Sequence, residues 1–473
     1  MKAKIVATIG PASSDPATLR SLIQAGMCVA RINFSYGTQE QHAATIAAVR
    51  DAANATGQPV AILQDLQGPK IRTGEIEGGQ INLQAGDRFT LTSEPVLGDS
   101  QRVSVDYPHL EDAVTPGGRI LLDDGKLEFQ IESVTPRGVE TRVTVGGVLK
   151  PNKGVTLPGA RLNIQACTDK DRADLAFGIA QNVDAVALSF VRRAQDIVNL
   201  RNEIHKIAGE EYRLPIIAKL ERPEALTNLE AIIETADGVM VARGDLGVEM
   251  PAETVPITQK RIITLANRKQ RTVITATQML ESMIHSPRPT RAEASDVANA
   301  ILDGTDLVML SGETAIGQYP VQAVKTMARI IGEAEAHVAE WGHFDAGAGV
   351  EANAENAFFV ARAARELAKD RDVAAIAVFT VSGHTARLVS KTRPQAPILA
   401  FTPDERTYRQ MALLWGVKPF YIARAATAEA MLDYVEQAIR ATGSLHSGQE
   451  VVLVAGFPIG AMKAANFVLL HTL

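Results

Sequence analysis

Five short apolar runs in this chain end alike, on charged or hydroxyl residues. They span 29–35, 61–65, 216–221, 239–245 and 272–277, and their ends carry Arg31, Asn33 and Ser35, Asp65, Lys219 and Glu221, Asp245, and Thr277. Apolar runs of this length, bounded by turn residues and alternating with helical stretches, read as buried parallel strands. When such strands close into a barrel, polar groups at their C-terminal ends are where an active site is built. Acidic, basic and hydroxyl groups together suit a divalent cation and a phosphorylated, carboxylate-bearing substrate.

The rhythm of the chain gives the architecture. Eight candidate strands begin near Lys4, Cys28, Pro59, Ala185, Pro215, Gly238, Thr272 and Leu307, with helix-like segments such as 16–25, 39–55, 169–182 and 194–207 between them. Right-handed crossovers and two buried sheet faces make a closed (β/α)8 TIM barrel the economical topology. Residues 69–162 interrupt it with short alternating segments, glycine turns and the hairpin signal Asp123-Asp124-Gly125. They read as a small β-barrel-like domain inserted after the third strand, hinged at Gly68-Pro69 and Pro158-Gly159. A linker-like stretch over 341–349 follows the eighth unit. Strands at 374–379, 398–401, 418–421 and 451–454 then alternate with helices, as in an open α/β domain. The expected division is a catalytic barrel over 1–68 and 163–341, a β lid over 69–162, and a C-terminal α/β regulatory domain over 342–473.

Composition excludes several classes. A formal net charge of −6 is no footprint for nucleic acid, and no polybasic cluster suggests a membrane surface. No run of 18 apolar residues is present, and the first apolar stretch is too short for a signal peptide. Cys28 and Cys167 fit no metal spacing and suit a reducing compartment. The expectation is a soluble, cytoplasmic protein with no nucleic-acid or membrane partner.

Each polar constellation has a functional and a structural reading. Lys219 and Glu221 stand two apart on one strand face, fit for catalysis or for a plain ion pair. Asp245 ends the neighbouring strand about 5 Å away, so two carboxylates converge where a hard cation such as Mg²⁺ can bind; alternatively Asp245 caps the following helix. Arg31 suits a bidentate phosphate or carboxylate contact, or a salt bridge with Asp65. Thr277, like Thr275, is also explained by strand propensity. Thr380, Ser382, Gly383, His384 and Thr385 follow a strand and open a helix, which makes an anion cradle or a simple cap. His42, His109, His205, His285 and His343 stand singly and read as surface or structural. Residues 288–293 line the site, a subunit contact or solvent.

Taken together, these segments resemble the pyruvate kinase family over nearly the whole chain. The motifs are residues 4–13, 30–35, 68–74, 217–221, 240–247 and 276–283, in the family's order. The resemblance implies a barrel with an inserted β-domain and a C-terminal α/β domain, assembled as a homotetramer. It implies a glycolytic phosphotransferase converting phosphoenolpyruvate and ADP to pyruvate and ATP. By the resemblance, Lys219 stabilises the phosphoryl group in flight, and Glu221 and Asp245 bind Mg²⁺, with Mn²⁺ as an alternative ion. Arg31 holds the substrate phosphate, while the Gly244 backbone, Asp245 and Thr277 bind the rest of that substrate. Arg72 and Lys153 meet the nucleotide phosphates, with Asn33, Ser35 and Tyr36 also on the nucleotide side. Asn33, Ser35 and Asp65 match a monovalent-cation site, and residues 380–385 match an effector phosphate site near the 456–460 turn.

The sequence departs from commoner members at Tyr36, where many have histidine, at His384, and at Lys70, where many have glutamate. Its C-terminal turn also lacks the usual Gly-Thr-Thr-Asn ending. Lys70 implies that K⁺ is not required, because a tethered ammonium replaces it. Two other readings remain at this point: a Mg²⁺-dependent enolpyruvate-type lyase or aldolase on the same barrel, and a non-catalytic phosphometabolite sensor. Arg72 and Lys153 on the insert speak against the first. The intact set Lys219, Glu221, Asp245 and Thr277 speaks against the second.

Overall fold

The computed structural model describes residues 1–160, 162, 164–343, 355–441, 443, 445–459 and 464–473. Most of the linker-like stretch and Gly460 of the 456–460 turn lie outside them. Eight parallel strands close into a barrel: β1 (Lys4–Thr8), β2 (Met27–Asn33), β3 (Ala61–Asp65), β4 (Ala185–Leu188), β5 (Ile216–Leu220), β6 (Gly238–Ala242), β7 (Thr272–Ala276) and β8 (Leu307–Leu310), with β8 pairing back onto β1. Side chains alternate by strand parity. Val6, Val29, Leu63, Ala187, Ile217, Met240 and Ile274 fill the barrel interior, while Ile5, Ala30, Ile62, Val186 and Ala218 pack under the helices. The helices are shaped for that role. Pro16–Ala25 is capped by Asp15, ends on left-handed Gly26 and buries Leu19, Leu22 and Ile23.

One device recurs at the N-terminal end of the barrel. Asp184, Asp237 and Asp306 immediately precede β4, β6 and β8, and their carboxylates accept the amides of Ile62, Ile216 and Val273 at 2.8, 3.0 and 2.7 Å. Each carboxylate therefore takes up a strand-end donor that would otherwise be orphaned. Two of them also anchor the C-terminal domain. Arg409 reaches Asp184 at 2.9 Å, and Lys391 and Arg393 grip Asp306 at 2.5 and 2.8 Å. Ala412 and Leu413 from the same domain join the barrel's interior cluster and stop its lower end.

The inserted residues form a six-stranded curled sheet and a two-stranded ribbon around their own apolar core. Asp123, Asp124 and Gly125 all have positive φ in the tight connection between the antiparallel strands Arg119–Leu122 and Leu127–Thr135, as the sequence signal predicts. The C-terminal domain carries four parallel strands, Ala375–Phe379, Ile398–Thr402, Val417–Tyr421 and Glu450–Ala455. A fifth, Phe467–Thr472, pairs antiparallel to the last of these. It escapes the sequence reading because it runs antiparallel to its partner, outside the parallel βα rhythm that reading follows.

Asp306 is 1% exposed and faces two cations. Asp306→Ala removes the carboxylate that these two buried cations share, and a loss of about 3–5 kcal/mol of stability is expected. Urea unfolding of the variant beside its parent measures it, and a change below about 1 kcal/mol would show that the anchor is dispensable.

Candidate active site

Parity decides which side chains reach the C-terminal mouth of the barrel. Counting in twos from interior residues leads from Val29 to Arg31 and Asn33, from Leu63 to Asp65, and from Ile217 to Lys219 and Glu221. Asp65 is 1% exposed and sits between two cations, Arg31 Nε at 2.6 Å and Lys219 Nζ at 3.2 Å. Burial alone would raise its carboxyl, but Lys219 and Arg31 outweigh that and hold it below the ordinary range. The Arg31–Asp65 salt bridge weighed from sequence is thus formed, with Arg31 also donating to Thr8 Oγ1 at 2.9 Å.

Lys219 meets Glu221 at 2.8 Å and Ser189 Oγ at 2.8 Å. Burial would lower its basicity, yet Asp65 and Glu221 raise it instead, so it remains an ammonium. The second oxygen of Glu221 accepts the Phe190 amide at 2.8 Å. Asp245 opens the helix Arg243–Glu249 after β6 and lines one cleft with Glu221, Lys70 and Asp124. It keeps solvent contact, but the protein crowded around it, and then Glu221, push its carboxyl up to about 6. That surplus of negative charge fits a divalent cation. Among the described residues no three His, Cys, Asp or Glu converge as a metal cage. A pair of carboxylates suits Mg²⁺, which takes its remaining oxygens from water and substrate phosphates.

Thr277 follows β7 with φ +69°, an uncommon conformation for a β-branched residue. Its hydroxyl accepts the Gly244 amide at 2.7 Å and donates to the Ala276 carbonyl at 2.6 Å. Arg243 holds that turn, donating to the Thr277 carbonyl at 2.7 Å while pairing with Asp296 at 2.6 Å. The structure therefore brings Arg31, Asp65, Lys219 and Glu221 into one cluster, and ties Gly244 and Thr277 together beside Asp245.

The other candidates lie at the edges. Asn33 Oδ1 accepts the Ser35 amide at 3.1 Å, and Tyr36 is 65% exposed at the rim. Arg72 bridges to Gly154, a cleft residue, and Lys153 beside it pairs with Asp123 at 2.9 Å. Lys70 lies against Gly154 in the same cleft. Its charge acts on Asp245, so it stands on the lid side of the carboxylates. The chain enters the lid through Gly68, at φ +68°; a Cβ there would come within 2.9 Å of Ser189 and 2.8 Å of Phe190. The 380–385 loop is far from this cluster in the fold, on the C-terminal domain. There Thr380 Oγ1 accepts the Gly383 amide at 3.0 Å, and His384 pairs with Glu355 at 2.9 Å. His42 is structural, stacked on Phe34 with centroids 4.0 Å apart. Thr290 and Glu293 of the 288–293 stretch form a capping box.

Sequence reading misses Ser189 and Arg243. Ser189 has a legible signal, since it continues the inward series Ala185, Ala187 one step past β4.

A barrel with paired carboxylates, a buried ammonium and an inserted domain that brings a lysine to the same cleft has the make-up of a phosphotransferase. Comparison with known proteins specifies it. A family model described as the pyruvate kinase barrel domain matches residues 1–324, and one described as the pyruvate kinase alpha/beta domain matches 359–471. The chain is 47% identical to a pyruvate kinase of Geobacillus stearothermophilus, over 100% of this chain and 80% of that protein. It is 49% identical to pyruvate kinase 2 of Synechocystis sp., over 99% and 78%. A pyruvate kinase of Mycobacterium tuberculosis is 42% identical over 99% and 98%. A crystal structure of a pyruvate kinase from Cryptosporidium parvum superposes with a TM-score of 0.92 at 36% identity, covering 100% of this chain and 96% of that one. The chain belongs to the pyruvate kinase family, and its activity is phosphoryl transfer between phosphoenolpyruvate and ADP. Among the described residues no helix is long and apolar enough to cross a membrane.

Proposed function

We propose that this transfer runs at the Asp65–Lys219–Glu221 cluster, with Mg²⁺ held by Glu221 and Asp245, and that it serves glycolysis in the cytoplasm of the cell. The observation that carries the reading is a buried ammonium braced by two carboxylates, beside a third that carries surplus charge. Phosphoryl transfer asks a protein chiefly for positioning and charge neutralisation. When bound, Mg²⁺, or Mn²⁺ in its place, supplies further positive charge to the phosphate oxygens. Lys219 and Arg31 offset the charge on the moving group. The Gly244 backbone and Thr277 orient the carboxylate end of phosphoenolpyruvate. Thr277 also aligns a proton donor for the enolate carbon, its own hydroxyl being too weak an acid to be the source. Arg72 and Lys153 bring the lid's charge to the nucleotide, with Asn33, Ser35 and Tyr36 on its other side. A lid over the mouth excludes water that would otherwise take the phosphoryl group. The domain divisions at residues 68/69, 162/163 and 341/342 give each part its task. Exposed Ile257, Ile316 and Trp341 offer apolar surface for assembly as a homotetramer.

Lys219→Met removes the transferring charge, and turnover is expected to fall about 10²–10³-fold. Exchange of the pyruvate methyl protons with solvent should survive, since it depends on the metal more than on this lysine. A coupled pyruvate assay with a parallel NMR exchange assay checks both. A variant keeping more than about a tenth of parental turnover would remove Lys219 from the role.

The enzyme works without K⁺ on this reading. Asn33, Ser35 and Asp65 are the oxygen groups of the monovalent-cation site, but Asp65 already answers Arg31 and Lys219, and the Lys70 ammonium stands in the cleft. Activity in tetramethylammonium buffer should stay flat as K⁺ is added at constant ionic strength; a several-fold rise would refute it.

The C-terminal loop is proposed to bind a phosphorylated effector. Supporting this, the helix His384–Lys391 opens with no side-chain cap, after Gly383 and exposed Ser382. Ser382→Asp and Thr385→Asp should abolish the response to at least one activating sugar phosphate or nucleoside monophosphate. If no such compound shifts activity or melting temperature, the loop is only a helix start.

A further inference from the structure

Ser189 lies one residue past β4, 2% exposed, and belongs to none of the groups assigned so far. Its hydroxyl makes two contacts. One is with the Leu66 carbonyl at 2.7 Å, the other with Lys219 Nζ at 2.8 Å. A carbonyl can only accept, and an ammonium can only donate. The single serine proton is therefore committed to Leu66, and its lone pairs are left to face Lys219.

The three neighbours of that ammonium differ in kind. Asp65 and Glu221 attract it as charges at 3.2 and 2.8 Å. Most of that attraction is Coulombic and has no preferred angle. The contact with Ser189 has hydrogen-bond geometry and so fixes a direction as well as a place. The serine is itself held. Leu66 donates its amide to Ala187 at 3.0 Å, and Gly68 passes so close that a Cβ on it would come within 2.9 Å of Ser189 Cβ. The segment that enters the lid thus rests on the side chain that aims the lysine.

We propose that Ser189 is a positioning residue for phosphoryl transfer, orienting the Lys219 ammonium and relaying to it the position of the lid's entry segment at Leu66–Gly68. The inference rests on Lys219 acting in transfer, as proposed above. A charged hydrogen bond sets the size of the effect. Ser189→Ala should lower kcat roughly ten- to a hundred-fold. KM for phosphoenolpyruvate and for ADP should stay within about three-fold, because the serine hydroxyl is already committed to Leu66 and Lys219.

The experiment measures Ser189→Ala, Ser189→Cys and Lys219→Met together, by coupled turnover, by NMR exchange of pyruvate methyl protons, and by melting temperature. The expected result is loss of turnover in all three, with methyl exchange and melting temperature close to the parent in the serine variants. If Ser189→Ala does not fold, Ser189→Cys carries the same expectation, since a thiol of similar size accepts only weakly. Serine variants with parental kcat beside an inactive Lys219→Met would overturn the inference alone. Transfer and exchange falling in equal proportion with a lowered melting temperature would make Ser189 merely structural and overturn it too. An active Lys219→Met would overturn the assignment of the lysine and this inference with it.

Discussion

The mouth of the barrel is organised around one buried carboxylate. Asp65 cannot be ionised at 1% exposure without partners, because an isolated charge in such a place costs several kcal/mol. Arg31 comes from the adjacent β2, and Lys219 comes from β5, beyond β4. Neither is local in sequence to Asp65. Glu221 then balances the second cation, so these four residues are neutral as a set. Asp245 adds a negative charge to that set, and its carboxyl is raised first by the protein crowded around it and then by Glu221. On the proposed reading, a divalent cation would offset that carboxylate without asking the protein to move a charge. Positioning of this kind is what electrostatic catalysis requires, since groups already fixed in place need no reorganisation during the reaction.

Much of this was legible in the chain itself. The eight apolar runs, the inserted β segment and the hairpin at Asp123-Asp124-Gly125 correspond to observed elements, because local burial and turn chemistry dominate there. Arg31, Asp65, Lys219 and Glu221 stand out as polar residues at the ends of such runs. Ser189 did not, although its parity is the same, because serine after a strand is ordinary turn chemistry. Lys70 was legible as an unusual residue but not in its setting: only the folded lid shows it beside Gly154 and acting on Asp245. The anchors of the C-terminal domain were illegible for another reason. Arg409 and Asp184 are 225 residues apart, and no periodicity encodes a pairing at that distance.

The two ends of the barrel have different physics. At the mouth, charges remain partly answered and await ligands. At the base, Asp184, Asp237 and Asp306 are each answered by a backbone amide and by arginine or lysine side chains. The strands between them are short and hydrogen-bonded on both sides, so the base behaves as a rigid mounting for the mouth. Among the described residues, Arg409, Lys391 and Arg393 tie the C-terminal domain to the barrel at this base, away from the mouth.

The stopper formed by Ala412 and Leu413 has a consequence for synthesis. A chain emerging from the ribosome completes β8 at Leu310 with every side chain proposed to act in transfer already made. Its barrel interior is nonetheless open at the lower end, and Asp306 still lacks the cations that answer it. The nascent enzyme must hold this unfinished, water-exposed floor until the third strand of the last domain is near completion. Vectorial folding thus places the greatest risk of misassociation late, after the eighth strand is made and before the barrel is sealed.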